Sequence, residues 1–165
     1  MPSILQYDRQ KAVEYAHRWA FERNPRFGDF AGIGGNCTNF VSQCLYAGVG
    51  VMNYTPTFGW YYNSMNDRAP AWTGVKYLYN FLTGNKGVGP WATEIDSTRI
   101  LPGDIIQLAN YLEQYHHTMI VVAVNGYKPE DILVAANSYD SDNRKLSTYD
   151  YKQIRYLHIE GVRSI

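Results

Sequence analysis

Residues 34–45 read Gly-Gly-Asn-Cys-Thr-Asn-Phe-Val-Ser-Gln-Cys-Leu, a glycine-rich loop running into an amphipathic helix with Cys37 in its first turn. A thiol there faces the positive end of the helix dipole and backbone N–H groups that have no intrahelical partner. Both favour the thiolate, the form that attacks a carbonyl carbon, and cysteines so placed titrate roughly 1–5 units below the free value of about 8.5. Asn36 is a good N-cap residue, which sets Cys37 at the helix edge where a substrate can approach. The competing reading is a small hydrophobe closing a helix–loop junction. Gly34 and Gly35 weigh against it, because they let another backbone come close. A nucleophile also needs a base, and a group that orients the base.

Of the four histidines, His17 lies mid-helix among charged residues and His158 in a late strand, so His116 and His117 are the candidate bases. They open the run His-His-Thr-Met-Ile-Val-Val-Ala-Val. Strand alternation puts His117, Met119 and Val121 on one face and His116, Thr118, Ile120 and Val122 on the other, so only one ring looks at the helices. The next apolar run, 132–137, closes on Asn137, whose amide can accept the second N–H of an imidazole, as in Cys-His-Asn enzymes. Asn137 equally suits the opening of a turn toward Ser138. Asp140 is then the substitute orienting acid. Cysteine, histidine and asparagine in that chain order fit acyl transfer through a thioester.

The elements that must position these groups change character along the chain. Residues 8–23 have helical spacing, with Asp8 as N-cap and Pro25 as the stop. A second helix is expected over 37–47 with Gly48 ending it, and a third over 73–83, capped by Thr73. Residues 104–109, 116–124, 132–137 and 155–162 are short β-branched runs between turn residues. Helices first and strands later read as an α+β fold, helices packed on one face of an antiparallel sheet. Residues 51–72 have no period and hold six aromatic residues. That segment is expected to wall the cleft at Cys37, with Trp60, Tyr61 and Tyr62 contacting substrate; packing flat over the core is the competing reading.

At 165 residues, one domain over 1–165 is expected. Lys plus Arg equals Asp plus Glu at 15 each, which leaves no basic surface for nucleic acid or an anionic membrane. No run approaches the roughly 20 apolar residues of a membrane span, and residues 1–12 are too polar for a signal peptide. The chain is therefore expected to be cytoplasmic as written, released by lysis, or cut from a longer secreted parent. Cys37 and Cys44 are separated by about 10.5 Å of helix rise, beyond disulfide reach, so both are expected as free thiols with Cys44 in the core. No His-Glu-x-x-His or Cys-x-x-Cys spacing occurs, so neither metal nor cofactor is expected.

Three blocks carry a family resemblance. The first runs from Tyr7-Asp8-Arg9 to Arg23-Asn24-Pro25, then Phe27-Gly28-Asp29-Phe30 and Gly34 to Gln43. The others are Leu101-Pro102-Gly103-Asp104-Ile105-Ile106-Gln107 and His117-Thr118-Met119-Ile120-Val121. Together they resemble the putative amidase domain family of bacteria, grouped with the papain-like cysteine hydrolases that include NlpC-type and CHAP cell-wall enzymes. The resemblance implies a papain-like fold, Cys37 as nucleophile and His117 as base, within about 3–4.5 Å of the sulfur. Where the family often has histidine this chain has Asn137, followed by an acid at Asp140, so both stay open as the orienting residue. The mechanism expected of these residues has an imidazolium–thiolate resting pair and an oxyanion site built on the Cys37 N–H and a second donor from the loop before it, with Asn36 or Asp29 shaping the pocket. The implied substrate is an amide bond in peptidoglycan peptides, cut by a monomer acting at the bacterial cell wall. A non-catalytic wall-binding module and an acyltransferase on the same fold are the alternatives.

Overall fold

The computed structural model describes residues 3–165. The α-helices all lie within residues 9–84: α1 (Arg9–Trp19), α2 (Cys37–Val49), α3 (Pro70–Thr73) and α4 (Val75–Gly84). Asp8 caps α1, its carboxylate accepting from the Lys11 N–H at 3.1 Å. The helix stops at Trp19, well before Pro25, where the Asn137 side chain donates to the Ala20 carbonyl at 3.0 Å. Asn24 then turns the chain by accepting from the Arg26 N–H.

α2 runs past the expected stop at Gly48 to a left-handed cap at Gly50, φ 80°. Gly48 is instead a point of close approach. A Cβ there would lie 2.5 Å from the Asp8 carbonyl and 2.6 Å from the Tyr7 ring. The expected third helix is broken at Gly74 into α3 and α4, and Thr73 accepts a bond from Arg68 rather than capping.

Strands β1 (Ser3–Leu5), β4 (Gly89–Ile95), β5 (Ile105–Tyr111), β6 (Gln114–Val124), β7 (Ile132–Ala136), β8 (Ser141–Lys145) and β9 (Gln153–Ser164) form one seven-stranded sheet, all pairs antiparallel. A separate hairpin joins β2 (Tyr62–Ser64) to β3 (Asp67–Arg68). Across the large sheet the order is β4-β9-β5-β6-β7-β8, with β1 beside the far end of β9. The architecture is α+β, as the order of elements in the sequence implies. Ile105, Ile120, Val122, Ala135, Leu157 and Ile159 face the helices, while Ile106, Leu108, Met119, Val121 and Val134 form a smaller core on the opposite face.

The buried Asp104 ties the two ends of the chain together. It accepts from Arg9 at 2.8 Å, from the N–H groups of Leu101 and Ile159 at 2.9 Å each, and meets His158 at 2.8 Å. α1 is thereby fixed against β9, and both α1 and α2 pack on β6 and β7.

Candidate active site

Helix α2 is buried almost all round, and the polar residues of its first two turns hold it there. The Asn36 side chain does not cap the helix. Its oxygen accepts from the Phe30 N–H at 3.0 Å and from Asn39 at 2.9 Å, and its amide nitrogen donates to Asn137 at 2.6 Å. Asn39 also donates to the Gly28 carbonyl and accepts from the Trp72 indole. Ser42 accepts from the Trp60 indole and donates to the Trp72 carbonyl.

Gly34 and Gly35 lead in with φ of 89° and 104°, values costly for any residue bearing a Cβ. Open space surrounds both, so they serve the backbone path and not a crowded contact. With the Asn36 side chain committed elsewhere, the Cys37, Thr38 and Asn39 N–H groups meet no protein acceptor among the described residues.

Cys37 is half-buried and free, whereas Cys44 is fully buried on the same helix. Burial pushes the Cys44 thiol well up. The Cys37 sulfur lies 3.7 Å from the Thr38 hydroxyl and 4.0 Å from the His116 carbonyl. Asn36 is held from the other side by Ser138, whose hydroxyl accepts the Asn36 N–H at 3.1 Å. β6 pairs with β7 only from Ile120 onward, so the sulfur sits beside a stretch of β6 that β7 does not cover.

This geometry changes the expectation for the histidines. β6 bulges at His116, where Leu108 and Ala109 pair with His117 and Tyr115. His117 falls on the Leu108 and Met119 face, away from the helices, with its ring 5.8 Å from Tyr149. No hydrogen bond joins the sulfur to either imidazole, and the contact from β6 is the His116 carbonyl. Burial, then the charges of His116 and Arg144, pull the His117 pKa down to about 4. The resting imidazole is therefore neutral at pH 7, not the cationic half of an ion pair.

The other expected site residues divide. Asn137 is fully buried and beside Asn36, but its amide serves Asn36 and the Ala20 carbonyl and orients no imidazole. Asp140 and Asp29 both pair with Arg23, which clamps the two loops together; neither meets a histidine, and Asp29 also receives the Ala31 N–H. As a carboxylate, Asp29 has no proton to give an oxyanion.

Trp60 and Tyr62 do not line the cleft. Trp60 is fully buried, its ring 4.9 Å from Trp72 and 6.2 Å from Phe81, and the buried Tyr62 accepts the Gly28 N–H. Tyr61 is half-buried against Tyr54. Indole and phenol groups find partners inside the core here, so Trp60, Tyr62 and Trp72 are interior, while Tyr54 and Phe58 of the same segment stay exposed. Two residues at the site went unread in the sequence: Thr38 and Thr118, whose hydroxyls meet at 2.9 Å beside the sulfur. A threonine next to a nucleophile and another next to a histidine were the available signals.

The profile of a family described as a putative amidase domain matches residues 6–159. An uncharacterized protein, YhbB, of Bacillus subtilis (strain 168) is 37% identical over 151 residues, covering 88% of this chain and 46% of the relative. The chain thus spans about half the length of that relative. No solved structure matches.

Proposed function

Because the chain belongs to the putative amidase domain family, we propose that it is a cysteine amidase on a papain-like fold, hydrolysing amide bonds of peptidoglycan peptides. The observation that carries this reading is the placement of Cys37. A half-exposed thiol opens the central helix, beside N–H groups with no acceptor and against the His116–His117 stretch of β6. Such N–H groups can receive the oxyanion that forms when sulfur adds to a carbonyl. Helices leading into an antiparallel sheet, with the thiol at a helix start and histidine on a strand, support the papain-like assignment.

His117 is the proposed base. A neutral imidazole accepts a proton, and burial keeps this one neutral. With its ring on the Tyr149 side of β6, His117 must turn toward the sulfur for this role, across the stretch of β6 that β7 leaves uncovered. His117 takes the thiol proton and Cys37 attacks the carbonyl. The protonated ring then gives its proton to the leaving amine, and water resolves the thioester.

Purified sacculi incubated with the protein, with released fragments read by mass spectrometry, test the substrate. Fragments ending at a new carboxyl and amine, lost with Cys37→Ala, are the expected outcome. Loss of activity in His116→Asn with full activity in His117→Asn would move the base to His116.

A further inference from the structure

We propose that Thr38 and Thr118 are positioning residues, the end of a one-way hydrogen-bond chain that aims an O–H donor at the Cys37 sulfur; this rests on Cys37 being the nucleophile. The chain begins at Arg155, whose guanidinium carbon lies 3.6 Å from the Tyr79 ring centroid and 3.8 Å from that of Tyr115. Arg155 Nε donates to Gln107 Oε1 at 2.8 Å. A guanidinium has donors only, so this bond fixes which way the Gln107 amide points. The two Gln107 Nε2 hydrogens then go to the Val75 carbonyl at 3.0 Å and to Thr118 Oγ1 at 3.2 Å.

Thr118 has one hydrogen left to give, and Thr38 Oγ1 lies at 2.9 Å. Once Thr38 accepts it, the Thr38 hydrogen points to the sulfur at 3.7 Å. The opposite direction would leave the Thr118 hydrogen without an acceptor in a place closed to water, since Thr38, Gln107 and Thr118 are all fully buried. An O–H donor beside sulfur favours the thiolate over the thiol, both before attack and as the leaving group when the thioester is resolved.

The test is the rate at which iodoacetamide alkylates Cys37 at pH 7, read by peptide mass spectrometry with buried Cys44 as internal control. Thr118→Val removes the link, Gln107→Glu reverses the chain's direction while keeping its shape, and Thr118→Ser restores it. Thermal melts confirm which variants fold. The expected result is Cys37 alkylation about tenfold slower in Thr118→Val and Gln107→Glu, the size of one charge-assisted hydrogen bond. Thr118→Ser is expected within about twofold of the parent. Rapid alkylation in the parent, unchanged in folded Thr118→Val and Gln107→Glu, overturns the chain and leaves the nucleophile standing. Alkylation of the parent's Cys37 no faster than that of a free cysteine peptide overturns the chain, whereas turnover that survives Cys37→Ala overturns the nucleophile on which it rests.

Discussion

Two thiols on one helix have opposite surroundings, and that contrast fixes what each substitution does. Cys37→Ser should abolish turnover with little change in melting temperature, because the half-exposed sulfur is not core. Cys44→Ser should keep activity and lose about 1–3 kcal/mol of stability, the cost of a buried hydroxyl without a partner. Urea unfolding of both variants checks this. His117 gives a pH signature. Its folded pKa of about 4 lies below the ordinary value of 6.5, so the unfolded chain binds more protons between those pH values. Stability from the neutral buried ring is complete above about pH 6.5 and is lost as pH falls toward 4, by no more than about 3 kcal/mol. His117→Gln should flatten the decline in urea midpoint over that window. The acid limb of kcat/KM should likewise fall near pH 4 and not near 6.5.

At the level of elements, the start of α2 is held by side chains from distant parts of the chain. Asn137 bonds both Asn36 and the carbonyl that ends α1. Asn137→Ala leaves two buried groups unpaired and should cost about 2–4 kcal/mol. Asp140→Asn weakens a partly exposed pair with Arg23 and should cost under about 1 kcal/mol. Comparable losses of activity from the two, with neither destabilised, would return the orienting role to the triad scheme. The helix beginning at Cys37 and the strands around Ile105, Ile120 and Val134 were legible because their apolar periods are strong. β8, Ser-Asp-Asn-Arg-Lys, and β4, which contains Pro90, were not, since edge strands carry the polar and proline residues that interior strands exclude. The register of His116 and His117 was read as simple alternation, and a bulge has no mark in the sequence that alternation can detect.

Over the whole molecule, composition and order of elements implied an α+β fold, yet the partition of aromatic residues between core and cleft depended on packing. Trp60 stands among Asn, Ser and Gly in the sequence, which reads as loop, but Ser42 and Trp72 close over it. Trp60→Ala should therefore lower stability by about 3–5 kcal/mol in urea unfolding, with KM unchanged in whatever fraction folds. The tie between chain ends at Asp104 was equally invisible, because Arg9, Asp104 and His158 meet only after folding. What the assembled molecule presents is one accessible thiol at the start of a buried helix, and the account stands on its forming a covalent intermediate. Acid quenching during turnover of a peptidoglycan peptide, followed by peptide mass spectrometry, tests this most directly. The prediction is a mass increment equal to the acyl fragment on the peptide containing Cys37, absent in Cys37→Ala together with product release. Product release at the parent's rate in Cys37→Ala, with no adduct in either protein, would contradict it.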